Sequence, residues 1–136
     1  MRSGRFVERF LEPGEQVVQS CTVSGSVDVT VDLPGRGRIM WAFITSDRLL
    51  FVDHAARPPK LAWWTWLDEI SRVDVTVRWQ QRVANRGRET IVTLQMVNGR
   101  HITCGHIHHM DGRRKTKRFT DTLTDAVHQA SRRRDR

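Results

Sequence analysis

The stretch Gly37–Asp53, Gly-Arg-Ile-Met-Trp-Ala-Phe-Ile-Thr-Ser-Asp-Arg-Leu-Leu-Phe-Val-Asp, constrains the fold more than any other part of the chain. It reads as a hairpin. Strands Arg38–Thr45 and Arg48–Asp53 are rich in β-branched, aromatic and aliphatic residues and meet at the polar turn Ser46-Asp47. Side chains alternate along a strand, so Ile39, Trp41 and Phe43 face one way and Met40, Ala42 and Ile44 the other. Both sets are apolar. Such a strand needs cover on both faces, either from its own chain or, on one side, from a partner.

The flanking segments read as that cover. Residues 4–12 predict a short helix with Phe6, Val7, Phe10 and Leu11 on one face, ended by Pro13-Gly14. A strand follows from Gln16 to about Val31, with Gly-Ser pairs that invite a bend. Leu33–Gly37 is a turn leading into the hairpin. After a loop holding Pro58-Pro59, Leu61–Leu67 predicts a short strand with three tryptophans, broken by Asp68-Glu69. Ile70–Gln80 alternates Val73, Val75, Val77 and Trp79 against Asp74, Thr76 and Arg78, the pattern of a half-buried antiparallel strand. Asn85–Gly87 marks a turn, Glu89–Val97 the next strand, and Asn98-Gly99 a hairpin into a last strand, Arg100–Ile107. From about Lys117 to Arg133 the period becomes 3.6, with Phe119, Leu123, Val127 and Ala130 on one face.

A chain of 136 residues is the size of one domain. The net charge of +8 is unevenly placed. Residues 113–136 hold nine Lys/Arg against three Asp, leaving only +2 for the rest. The body is close to neutral and the basicity belongs to the C-terminal end, which argues against a nucleic-acid-binding surface spread over the whole domain. The start of the chain lacks a hydrophobic secretory region, because Glu8 and Arg9 interrupt Phe6–Leu11, and no apolar run is long enough to cross a bilayer. With two cysteines far apart, Cys21 and Cys104, the expectation is a cytoplasmic protein with reduced thiols.

His101, Cys104, His106, His108 and His109 contain zinc-ligand residue types. On a strand only Cys104 and His106 fall close together, and there is no second ligand pair at zinc-finger spacing, so neither a metal site nor a Cys-His nucleophile is predicted. Phosphate-cradling glycine loops and hydrolase or zinc-protease motifs are absent from the sequence.

The element order, with Leu11-Glu12-Pro13-Gly14-Glu15, Ile44-Thr45-Ser46-Asp47-Arg48-Leu49-Leu50-Phe51 and Leu67-Asp68-Glu69-Ile70 followed by Val73, resembles the PH-like superfamily, in particular GRAM and bacterial PH-like domains. The resemblance implies a mainly β fold: a bent seven-stranded antiparallel sandwich or partial barrel capped by one C-terminal helix. Within it, residues 1–14 are an N-terminal segment, 15–108 the sandwich and 113–136 the helix with its basic tail. It also implies a binding role, since family members mostly bind phosphoinositides, peptides or proteins. In lipid-binding members, basic residues between the first two strands hold phosphate; here that loop carries Arg36 and Arg38.

Leu67 matches an apolar position of that family, which turns Trp63 inward and leaves Trp64 and Trp66 together on the other face, either covered by the helix or N-terminal segment or available to a partner. Exposed tryptophans concentrate binding energy at interfaces. The resulting expectation is a non-catalytic interaction module without a cofactor, binding a protein partner or a second copy of itself through Trp64 and Trp66. The alternative is an electrostatic binder of nucleic acid or anionic membrane through Arg36, Arg38, Arg113, Arg114, Lys115, Lys117 and Arg118.

Overall fold

A computed structural model of the chain describes residues 7–24, 39–53, 56–80, 87–108 and 113–134. Seven strands, β1 (Val17–Ser24), β2 (Ile39–Thr45), β3 (Arg48–Asp53), β4 (Lys60–Trp66), β5 (Ile70–Gln80), β6 (Gly87–Met96) and β7 (His101–His108), precede one long helix, α1 (Arg113–Arg134). The strands pair antiparallel in the order β4-β3-β2-β1-β7-β6-β5. They form a four-stranded half, β1–β4, and a three-stranded half, β5–β7. The halves meet where Ser24 of β1 pairs with His106 of β7. The fold is therefore mainly β, a bent two-part sheet with a C-terminal helix.

The helix packs on β5, on β1 and on the short 3-10 turn Leu67–Glu69 between β4 and β5. Its face of Phe119, Leu123, Val127 and Ala130 is buried in the main core with Cys21, Ala42, Ile44, Leu49, Phe51, Ile70, Val92, Leu94 and Ile102. Both halves and the helix contribute to this one apolar interior, which is where the sequence periodicities of two and 3.6 converge.

The two apolar faces of the β2–β3 hairpin are both covered by the chain itself. Ala42, Ile44, Leu49 and Phe51 point into the main core. On the opposite face, Phe43, Leu50 and Val52 pack with Val7 of the N-terminal segment, and Phe10, Leu11, Trp41 and Leu61 surround them. The need for double cover is met by the N-terminal segment, so this part of the hairpin does not require a partner.

Several boundaries differ from those expected. Of the helix expected over 4–12, residues 4–6 lie outside the described residues; Val7 is helical, Glu8–Phe10 continue as a 3-10 turn, and Leu11 is already extended at φ −86°, ψ 141°. The Pro13-Gly14 turn begins too soon for a longer helix, and Gly14 takes φ +83°. The expected strand Leu61–Leu67 is Lys60–Trp66, with Leu67 opening the 3-10 turn. The helix starts at Arg113 and not near Lys117. Thr116 and Thr120, which look polar in sequence, are buried and extend the inward face by another turn. The stretch 25–38, including the predicted continuation of the first strand, lies outside the described residues, as do 81–86 and 109–112.

Candidate interaction surface

The turn between β2 and β3 is organised by Thr45. Its hydroxyl accepts hydrogen bonds from the backbone N–H of Asp47 (3.1 Å) and of Arg48 (2.8 Å), closing the turn from inside. It donates to the Glu15 carboxylate at 2.5 Å. Glu15 arrives from the N-terminal segment, where the turn over Pro13-Gly14 is held by Glu15 N–H to Glu12 O (3.0 Å) and by Glu12 N–H to Glu15 Oε1 (3.0 Å).

Arg48 completes the arrangement. Its Nε and one terminal nitrogen bind the two oxygens of Glu15 at 2.9 and 2.6 Å, a bidentate pair, and the same terminal nitrogen reaches the Phe10 carbonyl at 2.6 Å. Both side chains are almost wholly buried, 4% exposed for Arg48 and 1% for Glu15. Burial by itself pushes the Glu15 carboxyl up. Hydrogen bonds from Arg48, Thr45 and the Glu12 N–H, together with the Arg48 charge, outweigh it and hold the group at about 2. The hydrogen bonds that Arg48 donates to Glu15 raise the guanidinium above its ordinary value against the cost of desolvation. A buried charge is tolerated here because each carboxylate oxygen has two donors.

The guanidinium also carries an aromatic roof. Arg48 lies 4.9 Å from the ring centroid of Trp64 and 5.7 Å from that of Trp66. The two indoles meet edge to face, centroids 5.1 Å apart and planes at 89°. Strand pairing explains the placement: Trp66 lies opposite Arg48 and Trp64 opposite Leu50, on the outer face of β3. Trp63 lies opposite Phe51 and points inward, its ring 5.6 Å from that of Phe51. An extra residue at Ala62 interrupts the alternation, which lets Leu61 share the outer face with Trp64.

Although the N-terminal segment covers the middle of that face, it leaves Trp64 39% and Trp66 40% exposed. Trp66 continues into a shallow groove of about 290 Å³, walled by Asp47, Leu67 and Asp68 on one side and by Ala130, Arg133 and Arg134 of α1 on the other. Arg134 ties the helix end to this rim by donating to the Asp68 carbonyl.

The described basic residues expected to hold phosphate stand together at the start of α1. Arg36 and Arg38 lie outside the described residues. Arg113 opens α1; Arg114, Lys117 and Arg118 are exposed at i, i+3, i+4 spacing, one helix face, and Lys115 is half-buried. They sit at the opposite end of α1 from the Trp66 groove. Lys117 and Arg133 are separated by roughly 24 Å of helix at 1.5 Å per residue. The tryptophan pair and the basic residues of α1 are therefore separate surfaces.

In β7 the register shifts by one residue between Ile91–His106 and Thr93–Thr103, an extra residue on β7. The side chains of Cys104, His106, His108 and His109 lie outside the described residues. Among the described residues, no three His, Cys, Asp or Glu side chains gather into a metal-holding group, and no helix is long and apolar enough to cross a membrane.

The Glu15–Arg48 pair is the feature that reading the sequence missed. Its two halves stood inside the strings noted for their family likeness, Leu11–Glu15 and Ile44–Phe51, yet nothing local links residues 33 apart. The sequence matches no protein-family model and no curated protein.

Proposed function

We propose that this chain is a PH-like, GRAM-like interaction module that binds a protein partner through Trp64 and Trp66 and does not carry out catalysis. The supporting observation is the exposed tryptophan pair on a buried ionic base. Two large apolar side chains remain about 40% in contact with solvent, although the chain covers the rest of that face. Their orientation is set in advance by Arg48, itself fixed by Glu15, Thr45 and the Phe10 carbonyl. Rigid aromatic anchors lose little conformational entropy on binding, which is why such residues dominate interface energetics. The test is capture of protein by the immobilised chain, after nuclease treatment and at moderate salt. Wild type retains a partner and the Trp64→Ala/Trp66→Ala double variant, with unchanged circular dichroism, does not. Equal capture by both rejects this surface.

A second reading has its own observation, the exposed Arg114-Lys117-Arg118 face at the start of α1. It favours binding of nucleic acid or anionic membrane, with affinity falling steeply as salt rises. Neutralising these three residues removes such binding and leaves capture through the tryptophans unchanged.

A further inference from the structure

Resting on the reading of Trp64 and Trp66 as an interaction surface, we infer that the occupant is a second copy of this chain, joined through the free edge of β4 to extend the four-stranded half across a two-fold axis. The backbone supplies the first observation. Leu67 N–H donates to Asp47 O across the β3–β4 ladder at 2.9 Å. Because main-chain groups alternate in direction along an antiparallel strand, Thr65 also turns its N–H and C=O toward β3, while Trp64 and Trp66 turn theirs outward. β4 stands at the end of the sheet order, and among the described residues it pairs with β3 alone. Among the described residues, the Trp66 carbonyl receives a 3.3 Å contact from the Thr65 hydroxyl, which also faces Glu69 Oε2 at 3.1 Å. The residues that expose their indoles are thus the ones whose backbone is open to another strand.

A second copy fits this edge symmetrically. With two β4 strands antiparallel and Trp64 opposite Trp66 of the mate, the N–H and C=O groups of both residues bond reciprocally, and an isologous contact closes as a dimer without growing further. Antiparallel pairing also brings the Lys60 end of one strand to the Asp68-Glu69 end of the other, opposite charges at both ends of the contact. The indoles of the two copies then lie side by side on one face, each pair already braced by its Arg48.

The strand at the other end of the sheet order, β5, exposes Val75 and Val77 but differs in its charges. β5 carries Arg72 and Asp74, paired at 3.1 Å, and an extra residue at Ser71, devices that keep an edge from pairing. In β4 the extra residue falls at Ala62, and no charge occurs between Leu61 and Trp66. The regular, uncharged part of the edge is the part bearing the tryptophans.

Sedimentation equilibrium of the full chain across the micromolar range tests this. The expected result is a monomer–dimer equilibrium that Trp64→Lys weakens by roughly tenfold or more, because it places two cations beside the axis, with the circular dichroism of the folded monomer retained. A second measurement does not depend on the variant: amide hydrogen exchange of wild type, where protection of the Trp64 and Trp66 N–H groups rises with protein concentration. A chain that remains monomeric, a dimer untouched by Trp64→Lys, or Trp64 and Trp66 amides that exchange equally fast at all concentrations overturns the inference. A monomer that still captures another protein through Trp64 and Trp66 would overturn the self-pairing alone and leave the interaction-module reading standing.

Discussion

Arg48 and Glu15, 33 positions apart, form a bidentate ion pair at 2.9 and 2.6 Å beneath an exposed tryptophan pair. Three parts of the molecule depend on it. It ties the N-terminal segment to the hairpin through Glu15 and the Phe10 carbonyl, it sits beside the Thr45 turn, and it presents a cation to Trp64 and Trp66. Fold and candidate surface therefore share one electrostatic centre.

Removing one partner leaves the other charged and buried. Glu15→Gln or Arg48→Met should each lower stability by about 3–5 kcal/mol, read by urea unfolding at neutral pH. Arg48→Lys should cost nearly as much, because an ammonium keeps the charge and loses the two-pronged geometry. The double variant Glu15→Gln/Arg48→Met should cost clearly less than the sum of the two single changes, the signature of direct coupling. Additive losses would mean that the pair contributes little as a pair.

The pH dependence follows from the same contact. Glu15 is held at about 2 in the folded chain against an ordinary value of 4.5. A depressed carboxyl contributes stability that is fully present above the unfolded value and disappears as pH falls through the folded one. The stabilisation from this group is thus constant above about pH 5 and is lost between about pH 4.5 and 2, on the order of 3 kcal/mol in all. Unfolding free energies measured across that range should drop less steeply in Glu15→Gln than in wild type. Parallel curves would show that Glu15 does not titrate as described.

Much of this architecture was legible in the sequence because it is periodic. Trp41 and Phe43 against Ala42 and Ile44, and Phe119, Leu123 and Val127 on α1, obey a repeat that burial imposes over several turns or pleats; the alternation of β5 marks a strand, but its expected half-buried face reaches the core only at Val73, with Val75 and Val77 42% and 55% exposed. The start of α1 was not legible, since a threonine counts as polar in a pattern yet Thr116 and Thr120 lie 3% and 6% exposed. The register shifts at Ala62 and in β7 are single-residue events with no compositional mark. The Glu15–Arg48 pair escaped for a different reason. A lone acid and a lone base are ordinary surface residues until the fold brings them together and removes water from both.

The Pro13-Gly14 and Asn98-Gly99 turns make a local prediction. Gly14 and Gly99 hold φ of +83° and +88°, and no atom lies within 4 Å of where a Cβ would stand. Substitution by alanine therefore meets no steric clash with neighbours, and the cost is that of the left-handed backbone alone, about 1–2 kcal/mol at each position. Gly14→Ala should in addition weaken the Glu12–Glu15 turn that delivers the carboxylate to Arg48, so its loss should shrink in an Arg48→Met background, whereas that of Gly99→Ala should not. Thermal unfolding of the two alanine variants in both backgrounds separates these outcomes.

The helix supplies the last prediction. Leu123 is 1% exposed and joins residues from both halves of the sheet in the main core. Leu123→Ala deletes buried apolar contacts and leaves a cavity bounded by strands from either side, so it should cost about 2–5 kcal/mol. His128, on the same helix and exposed, should tolerate alanine within about 0.5 kcal/mol. If α1 is part of the core and not an appendage, Leu123→Ala should also release the sheet as a unit: the summed fluorescence of the five tryptophans, all of them in the sheet, and far-ultraviolet circular dichroism should lose signal at the same urea concentration. Separate transitions, with the helix melting before the tryptophan signal moves, would show that the two sheet halves hold together without it.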